Sequence, residues 1–155
     1  TKNIPAHDNN YDIVICNEVL EHINEPSMAL KEIYRVLKSE GKLFITTTQC
    51  HGLHQEPHNY FNYLSYGLEH ILKKNNFHII ELKPLGGIYH LLGKIIHNII
   101  ENIFINNKFV FRILFYPVEF FVRIILLIIS LFLYYIDILD KDRKWTINYG
   151  CICKK

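Results

Sequence analysis

The chain reads as an α/β protein, and three observations predict this. Short β-branched runs recur at residues 12–16, 42–47 and 77–82, each of strand length. Residues 26–38 carry helical spacing between the first two runs, which makes a strand–helix–strand unit. Polar residues, Asn17 to His22, crowd just past the carboxyl end of the first run. Ligands of open α/β sheets collect at that end, because strand tips and helix starts expose unpaired backbone groups there.

In chain order, the strand at 12–16 leads through a polar elbow into the helix near 26–38. Gly41 is expected to break that helix before the strand at 42–47. A loop rich in His and Pro then runs to about Asn59. A helix over 65–74 follows, with Leu68, Ile71 and Leu72 on one face. The strand at 77–82 is expected to close at Pro84 and Gly86-Gly87. A last strand is expected at 145–153, where Thr146, Asn148 and Gly150 alternate with Ile147, Tyr149 and Cys151.

Composition changes over residues 88–139, where Lys94, Glu101, Lys108, Arg112, Glu119, Arg123 and Asp137 are the only charged side chains. Two or three helices are expected. Lys94, His97 and Glu101 share one face of the first, and Arg112, Glu119, Arg123 and Ser130 form a thin polar stripe on the second. The cleanest apolar run, 124–136, is shorter than the ~20 residues a bilayer span needs, and extending it backwards meets Arg123, Glu119 and Pro117. The plain reading is a cap buried on the sheet or in a homodimer interface. The sharper one is a hairpin dipping into one leaflet, with Arg112, Arg123, Tyr134 and Tyr135 at headgroup level. The expected organisation is a sheet-bearing part at 1–87, the apolar insertion at 88–139, and a final edge strand at 140–155.

A formal net charge of +2 shows no bias toward nucleic acid, so no nucleic-acid partner is expected. The four cysteines, Cys16, Cys50, Cys151 and Cys153, make no disulfide framework, and Cys16 reads as a small buried thiol. Residues 1–10 are polar and lack an apolar signal core. A cytoplasmic setting is expected, with peripheral contact on the inner face of the membrane if the insertion meets lipid.

The series Asp12, Val19-Leu20-Glu21-His22, Pro26 and Glu32 to Leu37 running into Gly41 resembles the class I S-adenosylmethionine-dependent methyltransferases. The resemblance extends through His54-Gln55-Glu56-Pro57, Asn59-Tyr60-Phe61 and Gly67-Leu68 to Phe77, about half the chain. It implies strands four to seven of a Rossmann-like sheet, the last two an antiparallel pair at one edge. It also implies S-adenosylmethionine as cofactor and a small-molecule, glycan or lipid-linked acceptor. Such enzymes hold the cofactor on a glycine-rich turn. The seven glycines here, at 41, 52, 67, 86, 87, 93 and 150, contain no G-x-G. The chain is therefore expected to be the carboxyl-terminal part of such a domain, inactive alone. The rival expectation is a non-enzymatic docking module, with the apolar insertion as its working part.

Methyl transfer from a sulfonium is an in-line displacement, so the protein chiefly aligns two reactants and removes the acceptor proton. His22 and Glu21 are the catalytic candidates, since an imidazole titrates near neutrality. Asn17 and Glu18 are the cofactor-binding candidates. His54, His58 and Tyr60, with Glu56 and Tyr63 in the same loop, are the acceptor-binding ones. One helical turn would bring Glu18, Glu21 and His22 to the same side. That spacing also resembles the metal-binding elbow of ubiquinone-pathway O-methyltransferases and small-RNA 2′-O-methyltransferases. The resemblance implies Glu18, Glu21 and His22, completed by His58 or His54, as ligands of a divalent ion. This reading ranks below a metal-free loop, and a structural zinc on Cys50, His51, His54 and His58 ranks below both.

Overall fold

The computed structural model describes residues 3–105 and 109–155, with side chains described for 3–102 and 117–155. The elements run β1 (Tyr11–Asn17), α1 (Pro26–Val36), β2 (Leu37–Thr48), α2 (Ser65–Lys74), β3 (His78–Leu85), α3 (Ile88–Ile105), α4 (Phe109–Ile136) and β4 (Asn148–Lys154). Single 3-10 turns form at Leu20–His22 and Asp137–Leu139. Two compact units result, Thr1–Leu85 with Ile147–Lys155, and Gly86–Thr146.

The first unit holds a four-stranded sheet in the order β1-β2-β4-β3. β1 and β2 are parallel, and β4 runs antiparallel to both its neighbours. α1 makes the crossover that a parallel pair requires. Pro26 stands at its first turn, where a missing N–H costs nothing. Ala29, Leu30, Ile33 and Val36 form its buried stripe. Leu30 and Ile33 meet Leu20, Leu43, Ile45, Leu68, Leu72 and Cys153 in one core. Arg35 ties the amino-terminal segment to α1, donating to the carbonyls of Ile4 and Ala6 and to Asp8 and Glu32. The Arg35 guanidinium, with the Ile4 N–H, holds the Glu32 carboxyl down at about 2.

Three strand boundaries differ from the sequence expectation. Gly41 lies inside β2, which begins at Leu37 directly after the helix. The register of β1 and β2 shifts between Tyr11 and Ile13, and Glu40 takes φ +68°. The kinked chain brings Gly41 so close to the Lys38 carbonyl that a Cβ would sit 2.8 Å from it. Pro84 does not close β3 but pairs with Tyr149, which an edge strand tolerates. β4 starts at Asn148 and not at Trp145, because the residues before it serve other partners. The Thr146 hydroxyl donates to the Gly86 carbonyl at 2.8 Å, and the Ile147 carbonyl accepts the N–H groups of Gln49 and Cys50. Cys16 is buried as expected, and burial first, then Glu21, pushes its thiol up to about 11. A thiol held protonated in this way is a packing group.

The second unit is a helical hairpin. Glu101 meets Arg123, Gly93 faces Leu133, and His90 stacks edge-on against Tyr134 at 5.5 Å, so α3 and α4 run antiparallel. Two aspartates after α4 cap the start of α3. Asp137 accepts the His90 N–H at 2.9 Å and Asp140 accepts the Ile88 N–H at 2.8 Å. Both carboxylates also complement the positive end of that helix. A Cβ on Gly87 would lie within 2.8 Å of both, so glycine is required there. Asp137→Ala is expected to lower hairpin stability by about 0.5–2 kcal/mol, the usual effect of losing a cap. Faster amide exchange at His90 and Leu91, with exchange in the sheet unchanged, is the readout.

The expectation that the apolar segment is too short to cross a bilayer is overturned. α4 continues unbroken through Pro117, Glu119 and Arg123. Pro117–Leu139 is long and apolar enough for a span by length and composition, with mean hydropathy 2.3. The charges that seemed to interrupt the run are paired, as Arg123 donates to Glu119 one turn back and to Glu101 on α3. The side chain of Arg112, expected at headgroup level, lies outside the described residues.

Candidate functional site

β1 ends at Asn17, and Glu18 turns the chain out of the sheet in a left-handed conformation, φ +51°. Such a turn is unusual for a side chain larger than glycine and marks the elbow as constrained. The Glu18 N–H is held by the Thr46 carbonyl and hydroxyl, both at 3.2 Å. The 3-10 turn starts only at Leu20, so Glu18 does not share a helical face with Glu21 and His22. The Glu18 carboxylate accepts the Asn148 amide at 3.2 Å, and Asn17 accepts the Thr46 hydroxyl at 2.8 Å. The two expected cofactor contacts are thus fixed to the tips of β2 and β4. Partial burial, then the Glu21 carboxylate, raises the Glu18 carboxyl above its ordinary value.

Glu21 is fully buried. Its Oε2 accepts the Thr47 hydroxyl at 3.1 Å, while Oε1 has no hydrogen-bond partner among the described residues. A buried carboxylate oxygen left this way is costly unless something else meets it. The Glu21 carbonyl accepts the N–H groups of Tyr60 and Phe61 at 2.9 and 3.3 Å, and that clamp draws the His-rich loop onto the elbow. His22 Nδ1 lies 2.6 Å from the His58 carbonyl. A carbonyl only accepts, so Nδ1 donates in this bond and Nε2 points away from it. His54 is fixed in the same sense, with Nδ1 3.0 Å from the Gly52 carbonyl. Its ring packs edge-on against His22 at 4.7 Å.

Glu21, His22 and His54 bring one ligand atom each within 4.8 Å of one another. An orphaned buried carboxylate oxygen beside two imidazole rings is a donor set that fits a divalent cation. The fit differs from the sequence expectation in membership. Among the described residues, His54 completes the group and neither Glu18 nor His58 joins it. His58 gives its carbonyl to His22 and sets its ring 3.2 Å from the Tyr60 hydroxyl. Tyr60 is exposed, whereas Tyr63 is buried, its hydroxyl without a partner among the described residues. Burial, then Glu21 and Cys16, raises the Tyr63 phenol well above its usual range.

Sequence reasoning missed the three threonines that organise the site. Thr46, Thr47 and Thr48 end β2 and bond in turn to Asn17, Glu21 and Asn62. The available signal was a run of hydroxyls at the tip of the strand beside the elbow.

A mixed sheet of this order, with its polar cluster past the tip of a parallel strand, defines a Rossmann-like α/β protein. The family model for a methyltransferase domain matches residues 1–45, the stretch that holds β1, the elbow, α1 and most of β2. An uncharacterized protein of Methanocaldococcus jannaschii is 43% identical over 53 residues, covering 34% of this chain and 23% of that protein. A ubiquinone biosynthesis O-methyltransferase of Nitrosomonas europaea is 36% identical over 63 residues, covering 41% of this chain and 24% of the relative. The matches thus span about a quarter of these relatives' length. Among solved structures, the cyclase SpnF superposes with TM-score 0.55 at 17% identity, covering 99% of this chain and 53% of its own. A putative methyltransferase from Bacillus halodurans gives TM-score 0.55 at 13% identity, covering 99% and 68%. These two likenesses establish the fold alone, and a cyclase among them illustrates how little a fold says about reaction.

Proposed function

We propose that the sheet-bearing unit is the acceptor side of an S-adenosylmethionine-dependent methyltransferase acting on a hydroxyl of a small-molecule, glycan or lipid-linked acceptor. The observation that carries this reading is His22 at the strand tip, its Nδ1 held by the His58 carbonyl so that Nε2 is the ring nitrogen left for an acceptor. S-adenosylmethionine, when bound, would supply the methyl group, and His22 is placed to take the proton of the acceptor hydroxyl. Glu21, fixed by Thr47, stabilises the imidazolium that forms. His54 and Tyr60 line the approach from the loop, where they would hydrogen-bond a polar acceptor. The ubiquinone biosynthesis relatives favour oxygen over nitrogen or carbon as the methylated atom.

In an alternative path Glu21, His22 and His54 would hold a divalent cation that polarises the acceptor hydroxyl, His22 Nε2 then being a ligand and not the proton acceptor. The adenosine and methionine ends of the cofactor lack an evident cradle in these residues, because no G-x-G turn occurs among them. Calorimetry separates the two parts of the proposal. The 155-residue chain is expected to bind Mn²⁺ in a manner lost on His54→Ala, and to show no micromolar binding of S-adenosylmethionine. A clean micromolar isotherm with S-adenosylmethionine would contradict this division of the site.

The second reading, a docking module of cytoplasmic location at a membrane face, is favoured by one observation. The outward side of α4 is apolar and exposed from Val118 to Tyr135.

A further inference from the structure

We propose that α3 and α4 enter a lipid bilayer together, as one hairpin with its charges closed between the helices and its outer surface facing acyl chains. The polarity of the hairpin is inverted relative to a helix pair of a water-soluble protein. Glu119, Arg123, Ser130 and Asp137 lie on the side of α4 toward α3, with Leu126 and Leu133. Arg123 sits between Glu119 and Glu101, so each carboxylate has a guanidinium partner inside the pair. Ionisable groups in membrane helices show this placement, facing the bundle interior and pairing there. The opposite side of α4 exposes Phe121, Ile125, Leu127, Ile128, Leu131 and Phe132, among others. At ~100° per residue, the exposed apolar positions cover an arc of about 220°. A protein partner needs a stripe of roughly 100°, whereas a bilayer meets every side at once.

The geometry along the axis agrees. At 1.5 Å per residue α3 is about 27 Å long and α4 about 42 Å, against a hydrocarbon core of about 30 Å. Counted from Ile88, Glu101 stands roughly 20 Å up α3, and Arg123 stands the same distance up α4 from Ile136. The charged triad is therefore level across the pair, beyond an apolar band on α4 that faces a stretch of α3 carrying His90, Lys94 and His97. The two ends of the hairpin are bonded together, Thr146 to Gly86, so whatever enters the bilayer must return to the side it left. At that foot stand Tyr134, Tyr135 and Trp145, all exposed, beside Lys141, Arg143 and Lys144. Aromatic and basic residues together mark a membrane–water interface, and the basic ones place the foot on the cytoplasmic side, against anionic headgroups.

Trp145 is the only tryptophan, which makes the foot its own reporter. The full chain mixed with phosphatidylcholine–phosphatidylglycerol vesicles is expected to float with them. Trp145 emission is expected to shift to the blue and be quenched by lipids brominated near the headgroup. Ile125→Asp with Ile128→Asp, on the outer arc, is expected to reduce partitioning at least roughly tenfold. Arg123→Leu leaves two carboxylates facing each other without a cation, and is also expected to reduce flotation. Glu101→Gln, Glu119→Gln and Arg123→Gln combined are expected to retain it. Circular dichroism confirms that each variant keeps its helices, and the triple variant tests the charge pairing even if Arg123→Leu fails to fold. No flotation and no Trp145 shift in the unaltered chain would overturn the proposal. Flotation unchanged by the outer-arc pair would also overturn it. A concentration-dependent dimer that never floats would assign the arc to a second copy of this chain. No cofactor or acceptor is present in these assays, so their outcome is independent of whether the sheet unit transfers methyl groups.

Discussion

His22→Ala is expected to lower the rate of methyl transfer by about 10²- to 10⁴-fold in the protein as its gene encodes it, with cofactor affinity held within a few-fold. The imidazole is placed by two constraints that leave its chemistry free. Its backbone N–H closes the 3-10 turn on the Val19 carbonyl, and its Nδ1 is fixed by His58. Alanine keeps the first constraint and removes the second together with the base, so the turn survives while the proton acceptor does not. A rate within a few-fold of the unaltered protein, accompanied by a drop in melting temperature, would make His22 a loop anchor instead. His54→Ala separates a metal-assisted path from a bare imidazole base. It leaves the His22–His58 bond in place and removes one of the three candidate ligands. A rate restored by added Mn²⁺ in that variant would identify a weakened metal site.

Leu43→Ala is expected to cost about 2–5 kcal/mol, enough to unfold a large share of the sheet unit. Leu43 is fully buried on β2, paired with Val14 on one side and Cys153 on the other, at the centre of the core. Truncation there leaves a cavity that two hydrogen-bonded neighbours cannot close without breaking register. Phe44, the next residue, points to the opposite face and is 36% exposed. Phe44→Ala should therefore cost clearly less, although the residue is larger. Denaturant unfolding of the two variants compares them directly. Equal losses would mean that the buried face of β2 is assigned wrongly.

The legible parts of the fold were those where local pattern and tertiary placement agree. Residues 65–74 carry Leu68 and Leu72 one turn apart with no competing signal, and α2 occupies those residues. β2 was misjudged at its start because Lys38-Ser39-Glu40 lacks β-branched residues. Pairing of Leu37 with Tyr11 and the close approach at Gly41 extend the strand against that local preference. The apolar run of α4, though not the helix itself, was cut short in the sequence reading because Glu119 and Arg123 look like interruptions until Glu101 arrives from another helix. No single-segment pattern contains that information.

The site divides in the same way. Glu21 and His22 were legible because they sit in one short motif at a strand tip. The association of His54 with them depends on a long-range clamp, the N–H groups of Tyr60 and Phe61 on the Glu21 carbonyl. Glu18 does not share the expected helical face because its left-handed backbone precedes the 3-10 turn, although its carboxyl still neighbours that of Glu21. The threonines were invisible because a Thr run is an ordinary strand ending until one knows which residues its hydroxyls meet.

The most direct test supplies the gene-encoded protein with S-adenosylmethionine carrying a labelled methyl group and candidate hydroxyl acceptors of phenolic, glycan and lipid-linked type. The account predicts label in one acceptor class at the hydroxyl oxygen, lost in His22→Ala and reduced in His54→Ala. Transfer that survives both substitutions unchanged, in protein shown to be folded, would contradict the assignment of the strand-tip cluster as the site of the reaction.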